Sequence, residues 1–428
     1  MKYKANIKFS ISSVIEYILL IYIIIVSSSV YNHSTDFKLY GSEFVMVFSS
    51  ILILIKILKY KKRSVIIRKL IKAILLMGIF VLIYILMCNY RYSFEELLMI
   101  IFKFIFFIPI MYTYFIGEFL YGNRELELLN KFSKLITILS VISITFWLFG
   151  SVLKLINSTN TIYLSWGNGR TILSYYNIYF ETQKTTVGTL SFIRNSSIFT
   201  EAPMYSLLII IALLYELYLS YNIKMKRIFI LVVACLSSFS ATGICLASIF
   251  IYIKLIFSRK NNKIIDLLLK FLTPILFICV ILILKNMINV KSGTGSAFCR
   301  LDDYIASIKA WKDNILFGNG INNTLCIINY MNPERMSNLG LSNSLGVVLA
   351  QGGMYITAIY IYPCINIILK SIIQKRYNIV FFIFGLIILF ILTIFMYNFI
   401  LLLLISLAYS YIGILRLKEK GDGKRHEI

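Results

Sequence analysis

The feature that most constrains this chain is the recurrence of apolar runs of about 20 residues, each long enough to cross a hydrocarbon core as a helix. They lie near residues 11–31, 43–58, 71–89, 97–117, 134–156, 203–221, 228–240, 243–257, 270–288, 343–363, 379–394 and 397–415. With 59% hydrophobic residues and a mean hydropathy of +0.83, no stretch outside the runs has globular composition. The expectation is an all-α polytopic integral membrane protein with about 12 transmembrane helices, one transmembrane domain over residues 1–428. Two assignments carry extra argument. The run 228–257 is too long for one span and is broken by Ser237, Ser238, Ser240, Thr242 and Gly243, so it divides into two short helices with a tight turn. The first run exceeds the usual h-region of about 7–15 residues and is expected to be a retained anchor.

A formal charge of +24 would point to nucleic acid in a soluble chain. Here Lys and Arg cluster between spans: Lys2 to Lys8, Lys59 to Lys72, Lys224 to Arg227, Arg259 to Lys263, Lys370 to Arg376, and from Arg416 on. The positive-inside rule reads these as cytoplasmic loops, which puts both termini inside and makes a nucleic-acid partner unlike this chain. Two long loops, 157–202 and 289–342, then face outward; loops of that length are usually functional. Cys88, Cys235, Cys245, Cys279 and Cys364 fall in or beside spans as packing residues. Cys299 and Cys326 share an outer loop, where either a disulfide or two free thiols fit. His33 and His426 are far apart, so no zinc site is expected, and no cofactor is implied.

Charges within the runs are few. Lys56, Lys154 and Lys254 lie close enough to span ends to snorkel. Lys103 and Glu216 are deeper, with no obvious partner. Ion-coupled transporters accept the cost of central charges, so this scarcity speaks against a pump or symporter.

Two polar islands are not explained by lipid. In Arg194-Asn-Ser-Ser-Ile-Phe-Thr-Glu201-Ala-Pro203, Thr200 looks like a helix N-cap and Pro203 suits the first turn of the next span. That helix start would offer free N–H groups to an anion, with Arg194 adding charge-assisted bonds. The alternative is that Glu201 caps its own helix and pairs with Arg194. Arg170, Glu181, Lys184 and Trp166 lie upstream in the same loop. In the second island, Leu301, Tyr304, Ile305, Ile308 and Trp311 share one helical face over 301–313, which predicts an amphipathic surface helix. Gly318-Asn319-Gly320 follows as a turn that lets backbone approach a ligand. Asp302 and Asp303 are adjacent, but neighbouring side chains diverge on a helix, which argues against a metal site.

The Arg194-x-x-Ser197-x-Phe199-x-Glu201 segment entering a span resembles the Wzy-type repeat-unit polymerases of O-antigen and capsular polysaccharide. So does the later series of Arg300, an amphipathic helix, Phe317-Gly318-x-Gly320, then Ser342-Asn343 leading into a span with Gly352-Gly353. The turn Ser240-x-Thr242-Gly243 is similar as well. The resemblance covers about residues 160 to 365. It implies glycosyl transfer between polyprenyl-pyrophosphate-linked oligosaccharides (undecaprenyl-pyrophosphate in bacteria) at the outer face of the bacterial cytoplasmic membrane. Lipid and a chain-length regulator are the implied partners, and no metal or nucleotide is implied.

Arg194 and Arg300, with Arg170 behind them, are the expected pyrophosphate ligands. Glu201 or Asp302 is the expected general base, and Gly318, Gly320 and Asn343 are further substrate-contact candidates. The related O-antigen ligases usually carry histidine before the asparagine; Ser342 stands there, which favours polymerase over ligase. Ala202 separates Glu201 from Pro203, which are adjacent in many relatives. A lipid-linked oligosaccharide flippase is the rival from another class; it predicts internal symmetry and a charged central cavity.

Overall fold

The computed structural model describes residues 10–37, 41–60, 63–167, 169–187, 190–257, 296–335 and 339–423. The predicted span 270–288, the segment 289–295, and Cys279 and His426 lie outside these residues. The protein is mostly helical: α1 (Ile11–Val26), α2 (Val30–His33), α3 (Gly41–Lys59), α4 (Arg63–Met87), α5 (Phe94–Gly122), α6 (Glu127–Val152), α7 (Ala202–Leu219), α8 (Met225–Ser237), α9 (Ala241–Phe257), α10 (Ser296–Asp313), α11 (Leu325–Ile328), α12 (Ser344–Ile373), α13 (Tyr377–Leu392) and α14 (Phe399–Gly423). Six of them, α3 to α7 and α12, are long and apolar enough to cross a membrane. Four shorter apolar helices are α1, α9, α13 and residues Phe399–Ile414 of α14.

Burial sorts the helices by role. α7 is the hub, with 89% of its apolar window buried, packed against α6, α8, α9 and α13. α4 is peripheral at 11%, and its exposed Leu75, Ile79, Leu82 and Leu86 suit a lipid-facing wall. The break that the polar residues after Leu236 predict falls between Ser237 and Ala241.

Residues 157–202 contain structure the sequence reading missed. β1 (Asn160–Leu164), β2 (Arg170–Tyr175) and β3 (Tyr179–Glu181) form an antiparallel sheet, and β4 (Lys184–Val187) pairs with β5 (Leu190–Ile193). Ile162 and Leu164 are buried while Tyr163 is exposed, the period-two pattern of a half-buried strand. Tyr176 and Asn177 both take left-handed angles in the β2–β3 turn (φ 51° and 55°). The Asn177 carboxamide oxygen locks that turn by accepting from Asn160 Nδ2 (3.1 Å) and Ser174 Oγ (2.9 Å). The sheet is tied to the α1–α3 connection through Ser165 N–H to the His33 carbonyl (2.9 Å).

Long helix α12 is broken at Gly353 (φ 61°, ψ −168°). The loop 315–320 fills the break. Asn319 and Gly320 N–H donate to the carbonyls of Ala350 and Gln351, while Met354 and Tyr355 N–H donate to those of Ile315 and Leu316, all at 2.8–3.0 Å. Backbone groups freed by the break are thereby satisfied within protein, as low-dielectric surroundings require.

Two expectations about charges are corrected. Lys56 does not snorkel; it is buried between Glu16 and Glu118, 2.8 Å from each. Lys131 joins the cluster by pairing with Glu16. Glu216 has partners: Arg227 at 2.8 Å and Ser133 Oγ at 2.7 Å. Sequence context hid them because each pair spans different helices. The Glu16 cluster sits near helix ends and not at their middles, since Glu16 and Lys131 lie early in α1 and α6 while Lys56 and Glu118 lie late in α3 and α5.

Candidate functional site

The two polar islands meet at the α8–α9 turn. Arg194 leaves β5 and its Nε donates to the Ser238 carbonyl at 3.0 Å. The next residue staples the segment there: Asn195 N–H donates to the Ser237 carbonyl (3.0 Å) and its Nδ2 to Ser237 Oγ (2.9 Å). From the opposite side, Arg300 on α10 reaches Thr242 Oγ1 in the first turn of α9, at 3.4 Å. Ser206 of the hub helix α7 bonds Ser240 Oγ at 2.9 Å, fixing the turn from below.

The electrostatics of this junction are unusual. Among the described residues, neither guanidinium forms an ion pair. Burial pulls Arg194 down from 12.5 to about 10; the charge of Glu201 opposes that shift, and the nearby positive charge of Arg300 adds to it. A desolvated cation beside a second cation is stabilised by an anion placed between them.

Glu201 is the N-cap residue of α7 but makes no side-chain cap. Its Oε1 accepts from Trp166 Nε1 at 2.9 Å, and the Trp166 ring meets His33 edge-on at 4.6 Å. The carboxylate is therefore neither a cap nor an ion-pair partner of Arg194. Thr200 is not the cap either; its hydroxyl donates to the Ser28 carbonyl at 3.2 Å. The expected free N–H groups at the start of α7 are occupied. Ala202 N–H goes to Gln183 Oε1 (3.1 Å), Pro203 has none, and Met204 N–H goes to the Glu201 carbonyl (3.1 Å). Nor is the Arg194–Glu201 stretch helical, since it runs as extended chain and turn.

The remaining candidates have structural explanations. Arg170 opens β2 opposite Leu164 and is exposed, without a contact to the arginine pair. Asp302 accepts from Asn332 N–H (3.0 Å) and Arg335 Nη1 (3.2 Å). Asp303 pairs with the same guanidinium at 2.6 Å and accepts from the Ser342 hydroxyl. The adjacent carboxylates thus converge on one cation instead of diverging. Burial raises the Asp303 carboxyl, partly offset by the bonds from Ser342 and Arg335.

Gly318 (φ +68°) and Gly320 (φ +105°) admit backbone and an aromatic ring rather than a ligand. A Cβ on Gly318 would lie 2.4 Å from Gln351 O and Gly353 N, and one on Gly320 would meet the Tyr90 ring at 2.4 Å. Asn343 caps α12, its Oδ1 accepting from Gly346 N–H at 2.9 Å. Cys299 and Cys326 are not bridged to each other.

Sequence reasoning missed Gln183, His33 and Arg335. Arg335 had one available signal, as the arginine following the Asp302-Asp303 pair in the same polar loop. Gln183 had none. Among the described residues no group of three or more His, Cys, Asp or Glu is arranged to hold a metal. No family profile, curated protein or solved structure matches this chain.

Proposed function

We propose that the protein is a membrane glycosyltransferase that polymerises polyprenyl-pyrophosphate-linked oligosaccharide repeat units. In this reading it works at the outer face of a bacterial cytoplasmic membrane, with about 12 spans and both termini inside. The observation that carries the proposal is the convergence of Arg194 and Arg300, from loops distant in sequence, on one turn without a carboxylate partner among the described residues.

In the proposed step the acceptor sugar hydroxyl attacks the anomeric carbon of the donor glycan. The bond from that carbon to the pyrophosphate oxygen breaks, and polyprenyl pyrophosphate leaves with the electron pair. Arg194 and Arg300 hold the developing negative charge, a contribution of about 10²–10³ in rate for one such donor. Glu201 takes the hydroxyl proton, held in orientation by Trp166. Asp302 is less suited to the role of base, because its Oδ2 already accepts from Arg335 and Asn332 and the carboxylate is paired with that guanidinium.

The test is a comparison of surface-glycan ladders on gels from cells carrying Arg194→Ala, Arg300→Ala or Glu201→Gln at equal protein levels. Loss of long chains with retained single repeat units is expected. Full-length ladders in both arginine variants would overturn the assignment.

A further inference from the structure

A cleft lies at the other end of α10, and its chemistry is the opposite of the arginine junction. It has a volume of about 730 Å³. Five of its lining residues are asparagines: Asn89 from the α4–α5 link, Asn314 and Asn319 after α10, and Asn323 and Asn329 around α11. No Lys or Arg lines it among the described residues, and Asp313 is its lone charged member.

The amides fall into two sets. Three are fixed by one another and by backbone. Asn314 Nδ2 donates to Asn319 Oδ1 (2.8 Å), Asn323 Nδ2 to the Asn319 carbonyl (2.8 Å), and Asn319 Nδ2 to the carbonyls of Ala310 (2.6 Å) and Ala350 (3.0 Å). Because Ala350 borders the α12 break, this wall is anchored to the membrane helices and is rigid. The other two, Asn89 and Asn329, are exposed and have no side-chain hydrogen bond among the described residues. Each offers a donor and an acceptor side by side, the pattern that vicinal sugar hydroxyls match.

Two rings complete the cleft. Tyr90 is held edge-on by Tyr92 at 4.9 Å and packs where Gly320 lacks a side chain. Tyr330 donates its hydroxyl to both Asp313 carboxylate oxygens at 2.9 Å, which leaves its ring at the rim and the one carboxylate occupied. Aromatic faces accept the C–H face of a pyranose, and with no Lys or Arg in its lining among the described residues the cleft is a poor match for phosphate; Lys312 lines the adjoining depression.

We propose that this cleft binds uncharged sugar units of the glycan, holding the carbohydrate while its pyrophosphate end lies at Arg300. Arg300 and Asp313 are thirteen positions apart on α10, about 20 Å at 1.5 Å per residue, so one helix carries both ends of an extended ligand. The identity of the glycan rests on the polymerase reading; the sugar chemistry of the cleft does not.

The experiment uses the full-length protein in nanodiscs and saturation-transfer NMR with a panel of neutral monosaccharides: glucose, galactose and N-acetylglucosamine. Saturation transfer to at least one of them, weakened about tenfold in affinity by the Asn89→Ala/Asn329→Ala pair, is expected. Inorganic pyrophosphate binding should be the same in that variant and in wild type. No transfer to any sugar, or equal affinity in both proteins, would overturn the proposal. Sugar binding that persists alongside absent pyrophosphate binding would sink the arginine assignment and leave the cleft intact.

Discussion

Arg335 and the Arg194–Arg300 pair are the same chemistry in two settings, and the contrast separates a structural site from the one proposed to be functional. Arg335 is buried and surrounded by acceptors: Asp302, Asp303 and the Gly340 carbonyl at 2.9 Å. It ties α10 to the strap that leads into α12. Arg194 and Arg300 are half-buried, each with one neutral acceptor among the described residues, and Arg300 lies close enough to add to the lowering of the Arg194 guanidinium. A cation whose neighbours already satisfy it has little left for a ligand. Two cations without a carboxylate among the described residues, held at one fixed turn, suit the anion-binding role proposed for them.

The largest effect that would sharpen this contrast is expected for Arg335→Ala. It leaves two carboxylates facing each other in a buried site, and removing one partner of such a cluster costs about 3–5 kcal/mol. A fall in thermal unfolding temperature of the detergent-purified protein checks it; by contrast, Arg300→Ala should leave that temperature nearly unchanged. Equal destabilisation by both variants would break the distinction. Next comes Gly353→Ala, which places a side chain 2.3 Å from the Leu316 carbonyl in a left-handed conformation. A loss of about 1–3 kcal/mol is expected from the backbone strain alone, read by the same melt. Asn343→Ala removes one helix cap and should cost about 1 kcal/mol, with no change in ligand binding if Asn343 has no substrate role.

The smallest effect is one of pH. Because burial lowers Arg194 to about 10, the folded protein holds that proton less tightly than the unfolded chain. The associated stability penalty is present below about 10 and is relieved as pH rises towards the unfolded value. Anion binding, which needs the charged form, should be flat between about pH 7 and 9 and weaken above about 10. An anion affinity that declined already through neutral pH would point to a different titrating group.

The helical frame was legible because lipid imposes a coarse and strict requirement. Runs such as 203–221 have to be apolar along their length, and the polar interruption after Leu236 marks where one cannot continue. The amphipathic helix was legible from Leu301 to Trp311 for the same periodic reason, and it extends back to Ser296. What escaped was set by contacts between distant residues. Nothing local to Asp302 or Asp303 announces Arg335. Nothing local to Gly318 announces that its missing side chain makes room for the Gln351–Gly353 backbone. The strands of residues 160–193 are three to six residues long, too short for alternation to stand out within a mixed polar loop. At the candidate site, sequence alone identified Arg194, Arg300 and Glu201 as worth attention. It misassigned the surroundings of Glu201, whose partner is the Trp166 indole and not Arg194 or the helix start.

The central claim is that Arg194 and Arg300 together hold a pyrophosphate. Isothermal titration of inorganic pyrophosphate into the nanodisc-embedded protein tests it most directly. Binding to wild type is expected, reduced about tenfold or more by either Arg194→Ala or Arg300→Ala and abolished in the double variant, since one charge-assisted bond contributes roughly 1.5–3 kcal/mol. Undiminished binding in the double variant would contradict the account.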